Sequence, residues 1–441
     1  MLPYLNQNDS RSNLFSIILA LFPLSFIAGN MIININIIIL VLISIILFGK
    51  KIFNVRIYFL DKLLISYFIL IIFSGILNDY YFYRNNHYWR ESYFYTTFKA
   101  VIFLKYLLLY FCLRYLLENK IISLKYFFIS CTFASVFVSV DLFYQSIFGT
   151  DILGFEKPQD GRKLGGPFGD ELIAGGFIQR FSIFSFFLLP LFYKEISNKI
   201  LKYIIPLLFI LFLLGISLSG NRMPLILFIF TVGLIVLFNK QTRKYFLSFI
   251  LIFIIFFTVI INVNKTVKEN VYSFKNQIIN MYVAVSKNEI NKKNAPPYLK
   301  EFSSFYDTWR LNKYFGGGVK NFRYYCHLRP NIEKNSKFIC NMHPHNYHLE
   351  ILTELGLVGF LIFSCIILNI LFITLFKKYF SSQSYLKNNN IIIPFIFLFI
   401  TEIFPIKSTG SFFTTGNTTY LFIIMGVLVA LTRKENLFEK Q

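Results

Sequence analysis

Apolar residues gather along this chain in windows of about 20, the helix length needed to cross a hydrocarbon core near 30 Å. The first six windows fall at roughly 13–28, 31–48, 58–77, 98–117, 126–148 and 174–193. The second six fall at roughly 201–219, 222–239, 245–263, 348–376, 391–406 and 418–432. Between the ninth and tenth windows lies a polar stretch, 264–347, too long to be a turn. The pattern predicts an all-α polytopic membrane protein with about 12 transmembrane helices and one large extracytoplasmic loop holding short helices. The segments are 1–263, the loop 264–347, and 348–441 with its final tail.

Charge sets the orientation. If the N-terminus is cytoplasmic, every second connection is basic: Lys50, Lys51 and Arg56; Lys120 and Lys125; Lys194, Lys199 and Lys202; Lys240, Arg243 and Lys244; Lys377, Lys378 and Lys387; and finally Arg433 and Lys434. That bias is the positive-inside rule, and it puts both termini in the cytoplasm. The long loop is basic too, but loops beyond about 60 residues translocate largely regardless of charge. Composition agrees, since 56% of residues are hydrophobic, 20% aromatic and only 15% charged, which is too much apolar surface for a soluble core. The net charge of +22 does not indicate nucleic-acid binding, because the basic residues are dispersed over short connections, where anionic lipid headgroups meet them. The first window carries no cleavage-site pattern and reads as a span.

Three cysteines, Cys112, Cys131 and Cys365, fall within windows and read as small apolar side chains. Cys326 and Cys340 lie in the long loop, on the oxidising side, where a disulfide between them is expected. Free thiols or a metal pair are the alternatives.

Chemistry concentrates where the loop meets the tenth window, in Met342-His343-Pro344-His345-Asn346-Tyr347-His348-Leu349-Glu350. Pro344 suits a helix's first turn, which puts His345 at a helix N-terminus. The positive end of the helix favours neutral imidazole, the form able to accept a proton, and its N–H groups can hold a phosphate oxygen. As metal ligands, His343, His345 and His348 lack an obvious acidic fourth partner. Glu354, about two turns deeper, is an ionisable residue where ionisable residues are expensive, so it reads as functional or as a packed structural acid.

Arginine is the second theme, because its fork matches phosphate oxygens in pairs. Arg222 is pinned in the short turn Ser219-Gly220-Asn221-Arg222, on the face that the charge bias leaves poor in cations. Arg310 precedes Gly316-Gly317-Gly318, and Arg162 with Lys163 precedes Gly165-Gly166-Pro167-Phe168-Gly169. Each glycine cluster reads either as a nest of N–H groups for phosphate or as a plain turn. Neither is a nucleotide P-loop. Arg180 is a charge inside a window with no partner that the sequence assigns.

Together these features resemble the O-antigen ligase and O-antigen polymerase superfamily of bacterial inner membranes, over the whole length. The likeness rests on the span count, the late large loop, the turn ending in Arg222, the stretch from Arg310 to Gly318, and His345-Asn346 leading into Glu354-Leu355-Gly356. Phe404 to Phe413 also looks like the penultimate loop of these proteins. The resemblance implies a metal-independent, cofactor-free glycosyltransferase of the inner membrane, with its site facing the periplasm. It would move a glycan from undecaprenyl pyrophosphate to a lipid A-core sugar hydroxyl. The polymerase and protein O-oligosaccharyltransferase branches are alternatives. It further implies that His345 acts on the acceptor hydroxyl and that Arg222, Arg310 and Arg162 meet the pyrophosphate. Asn346, Glu354 and His343 are expected to support them. A reading of another class, a permease for an anionic solute or lipid-linked glycan, expects Arg180, Asp141 and Glu402 to line a watery path.

Overall fold

The structure is a computed structural model that describes residues 10–85, 94–158, 163–193, 198–238, 246–263, 265–287, 297–329, 340, 344–380, 390–408 and 410–435. These residues form helices and turns, with one isolated bridge between Thr150 and Glu156 and no strand among them. The first half contains α1 (Ser10–Ala28), α2 (Asn30–Phe48), α3 (Phe59–Arg84), α4 (Tyr95–Phe103), α5 (Lys105–Glu118), α6 (Leu124–Phe148), α7 (Ala174–Phe181), α8 (Ser185–Phe192) and α9 (Asn198–Leu218). There follow α10 (Arg222–Phe238), α11 (Phe246–Val263), α12 (Lys265–Ser286), α13 (Pro297–Trp309), α14 (Phe322–Tyr325), α15 (Tyr347–Leu371), α16 (Ile393–Glu402) and α17 (Thr415–Glu435).

Among the described residues, eight helical stretches are long and apolar enough to cross a membrane. Two of them are composite: Tyr95–Glu118 joins α4 to α5, and Ala174–Phe192 joins α7 to α8. Four shorter apolar helices, Tyr203–Leu218, Arg222–Phe238, Phe253–Val263 and Ile393–Glu402, stand at the remaining predicted windows. Within the large loop α12 has 22 residues, longer than the short helices the sequence suggests. Its apolar content is spread among lysines and amides, so no window registers it.

The helices pack through aromatic rings and small residues. Phe127, Phe128, Phe184 and Phe395 form a knot between α6, α16 and the turn joining α7 to α8. α17 lies along α5, and a Cβ at Gly426 would come within 3.3 Å of the Leu113 Cβ, so the two backbones approach closely. The buried Asp61 shows the pairing that a low dielectric favours. Asp61 takes Arg114 at 2.7 Å and Arg433 at 3.2 Å, with the Tyr110 hydroxyl donating to it at 2.8 Å. α17 is thereby tied to α3 and α5 near its C-terminal end.

One helix is broken, and the large loop fills the break. Gly356 in α15 has φ +67° and ψ −168°, so the helical hydrogen bonds around it cannot form. The N–H groups of Leu357 and Val358 donate instead to the carbonyls of Lys313 and Tyr314, at 2.8 and 3.1 Å. The carbonyls of Thr353 and Glu354 accept from the N–H groups of Gly317 and Gly318, at 2.9 and 2.8 Å. Two donors and two acceptors lost by the helix are replaced by one loop segment, which satisfies the backbone at the break. From α3, Ser74 Oγ donates to the Phe315 carbonyl at 2.8 Å, and Asn78 Nδ2 donates to that of Gly316 at 3.1 Å. The N–H groups of Gly317 and Gly318 are therefore committed to α15, and that of Gly316 to the Asn312 carbonyl at 3.1 Å. The triple glycine is a backbone joint and not a phosphate nest.

Cys326 and Cys340 are joined in a disulfide, with Cα atoms 5.7 Å apart. Cys326 is buried against Phe305 and Phe322 in a small core of the loop, so the bond ties the segment leading to His345 onto a packed body. His327 lies close enough to both sulfurs to complete a three-ligand set, but the sulfurs are bonded to each other.

Candidate active site at the mouth of the broken helix

Asn346 is the N-cap of α15. Its Oδ1 accepts the Leu349 N–H at 3.1 Å, and its Nδ2 donates to the carbonyls of Pro405 and Lys407 at 2.7 and 3.1 Å. One side chain thus fixes both the start of α15 and the loop that follows α16. His345, just outside the cap, has φ +53°, a left-handed conformation uncommon for a residue with a Cβ. Such strain persists where the surroundings over-determine it, and functional sites are where it gathers. Pro344 consequently precedes the helix, in place of its expected position in the first turn, because the left-handed residue breaks the run. His348 is engaged elsewhere: its Nε2 lies 2.9 Å from the Ile403 carbonyl, to which it must be the donor.

His345 is half-buried. Burial lowers its pKa from the usual 6.5, and the Lys163 ammonium lowers it further. Both effects keep the imidazole neutral at pH 7. A rate that requires neutral His345 therefore falls as pH drops through this depressed value, with an acid limb below 6.5. Lys163→Met removes one of the two depressing influences, so the acid limb moves upward. A pH–rate profile of the variant superimposing on the wild-type one would remove Lys163 from the site.

Under the mouth lies a charged cluster. Glu402, at the end of α16, accepts from Arg180 Nη2 at 2.7 Å, Arg180 Nε at 3.2 Å, Lys407 Nζ at 2.6 Å and the Tyr347 hydroxyl at 2.5 Å. Arg180 Nη2 also donates to Asn417 Oδ1 at 2.6 Å, and the guanidinium lies 5.0 Å from the centre of the Tyr420 ring. Burial, reinforced by Arg180, pulls the Lys407 ammonium down to about 8 against the opposing pull of Glu402. Arg180, partnerless in the sequence, has the partner a buried cation needs. Glu350 grips the same loop, accepting from Ser411 Oγ at 2.6 Å and the Phe412 N–H at 2.5 Å. Glu354 Oε2 accepts the Lys320 N–H at 2.8 Å, which makes this acid part of the joint between α15 and the loop. Its Oε1 is buried without a hydrogen bond.

The other expected residues are distributed around this mouth to different degrees. Arg222 opens α10, donates to Gln277 Oε1 at 2.8 Å, and lies 5.8 Å from the centre of the Phe274 ring on α12. Its turn packs on the start of α7, where a Cβ at Gly175 would meet Ser219 Oγ at 2.4 Å; the same short helix carries Arg180. Arg310 is exposed just past α13, its N–H donating to the Tyr306 carbonyl at 3.2 Å. Gly165 to Gly169 form a tight turn whose Gly166 N–H donates to Gln145 Oε1 at 3.0 Å. Arg162 and His343 lie outside the described residues. Asp141 is buried and accepts the Ile152 N–H at 2.7 Å. Arg180 pairs with Glu402 and Asp141 with the Ile152 N–H, so each of the three residues expected to line a watery path has a partner within the protein. Sequence reasoning missed Lys407 and Asn417 as partners; the available signal was Arg180 itself, a cation in an apolar window that demanded a carboxylate.

Residues 207–364 match the family model described as O-Antigen ligase. The matched stretch contains the Arg222 turn, the loop, His345, Asn346 and the break at Gly356. Comparison with curated proteins returns no match.

Proposed function

Starting from a chain that carries a domain of the O-antigen ligase superfamily, we propose that it transfers a glycan from undecaprenyl pyrophosphate to a sugar hydroxyl of lipid A-core, at the periplasmic face of a bacterial inner membrane. The acceptor oxygen attacks the anomeric carbon as the bond to pyrophosphate breaks. His345 takes the acceptor's proton, and the leaving pyrophosphate departs with the electron pair. Arg222, Arg310 and Arg162 meet its charge, which stabilises a transition state in which that charge is developing. Asn346, Glu354 and His343 support the mouth. Proton and charge are both handled by side chains, the metal-independent form of the reaction.

The observation that carries this reading is His345: half-buried, in a left-handed turn beside the Asn346 cap, where burial and Lys163 favour its neutral form. A general base needs that protonation state and that fixed position. The test is glycolipid analysis of cells lacking this chain against cells complemented with it. Polymeric glycan on lipid A-core only with the chain present, and accumulation of full-length lipid-linked glycan without it, is the expected result. Accumulation of single lipid-linked repeat units would make it a polymerase, and loss confined to glycoproteins a protein O-oligosaccharyltransferase. Unchanged glycans of all three kinds would reject transfer.

A further inference from the structure

We propose that the Nη1 edge of Arg180 is a phosphate subsite in the floor of the mouth. The inference rests on the transfer reading only for the identity of the phosphate, that of a polyprenyl pyrophosphate.

The cluster around Glu402 is unbalanced. Arg180 and Lys407 bring two positive charges to one carboxylate, and Tyr347 and Asn417 bring none. The neighbouring Glu350 has its own cation in Lys320, at 3.8 Å. An excess cation in a low dielectric is costly unless an anion closes the balance.

The geometry says where that anion goes. Nε and Nη2 of Arg180 are occupied by Glu402, Tyr347 and Asn417, and the Tyr420 ring lies close to the guanidinium. Nη1 makes no hydrogen bond to the described residues, and it is not among the sealed polar atoms. Arg180 retains 14% side-chain exposure, against 1% for Glu402 and 3% for Lys407. Among the three charged groups of the cluster it is the one that reaches accessible space, beneath the turn that holds His345, two residues before Tyr347; the uncharged Asn417 beside it is also partly exposed. A planar fork fixed on its inner side and open on its outer one is preorganised for a phosphate oxygen.

The test is equilibrium binding to the full-length chain in nanodiscs. The probes are undecaprenyl pyrophosphate in the bilayer, undecaprenol as its phosphate-free control, and inorganic pyrophosphate in solution. Arg180→Lys keeps a cation opposite Glu402 but loses the fork, and is expected to weaken undecaprenyl pyrophosphate about tenfold while leaving undecaprenol unchanged. Asn417→Asp keeps an acceptor for Nη2 while cancelling the excess charge, and is expected to weaken it similarly. Tighter binding of the lipid than of inorganic pyrophosphate identifies a lipid headgroup as the ligand. Equal binding identifies phosphate alone, and both support the subsite. Wild-type affinity for both pyrophosphates in either variant, once it elutes as a monodisperse protein, overturns it. Since binding is read without transfer, a chain that binds through Arg180 but moves no glycan would refute the proposed reaction and leave the subsite standing.

Discussion

His345→Ala is expected to lower glycan transfer about 100- to 10,000-fold, the span a positioned general base contributes, while the protein inserts and accumulates normally. His345 sits outside α15, so the cap made by Asn346, the cluster around Glu402 and the break at Gly356 all survive its loss. Truncation also removes an imidazole that is half-buried beside a lysine, a placement that does not favour its charged form. His345→Asn is the sharper variant, because Asn tolerates the left-handed turn and carries no base near neutral pH. Purified enzyme, lipid-linked glycan and acceptor would be assayed by gel mobility of the product. Either variant transferring within about tenfold of wild type would exclude His345 as the general base.

Gly356→Ala is expected to destabilise the protein by roughly 4 kcal/mol, at the upper end for a single substitution. Two effects combine. The backbone at φ +67° is one that residues with a Cβ rarely adopt, and a Cβ there would lie 2.3 Å from the Tyr314 carbonyl carbon. Backbone cannot swing aside as a side chain can, so either the loop leaves the break or the helix closes over it. Gly316→Ala produces the same conflict from the other side, with its Cβ 2.3 Å from the Glu354 carbonyl carbon. Thermal unfolding in detergent measures both. A midpoint for Gly356→Ala within a degree or two of wild type would show that the joint is not a structural requirement.

Much of the fold is legible because lipid imposes a simple code on the chain. The windows at 13–28 and 31–48 become α1 and α2, separated at Gly29 with φ +102°, and the window at 126–148 becomes α6. What the code omits depends on residues far apart in sequence. The break at Gly356 is invisible to hydropathy, since the groups that satisfy it lie some forty residues upstream. The interruption at Leu104, between α4 and α5, leaves no mark on the apolar pattern either.

The site was legible in part for the same reason. His345 and Asn346 stand out as polar residues at a helix entrance, but the sequence started the helix at Pro344 and so did not show Asn346 as its cap. The sequence left the glycines after Arg310 open between a phosphate nest and a plain turn, whereas they hold α15. Glycine's small size suits either task, and only the position of the second backbone decides between them. Lys407 did not stand out within the stretch from Phe404 to Phe413, because its burial depends on how α16 and α17 close over it.

The exchange at Gly356 also bears on how the protein is made. The segment that completes α15 leaves the ribosome before α15 does, so it must wait for the helix it will join. Until they meet, the carbonyls of Thr353 and Glu354 and the N–H groups of Leu357 and Val358 have no partners, at several kcal/mol each in hydrocarbon. A newly inserted α15 has reason to run straight through Gly356 as an unbroken helix and to open only when the loop arrives. Opening re-aims the turns on either side of the glycine, including those that lead back to His345. Maturation of the candidate site is then a late step, set by the arrival of the loop and not by the insertion of the helix.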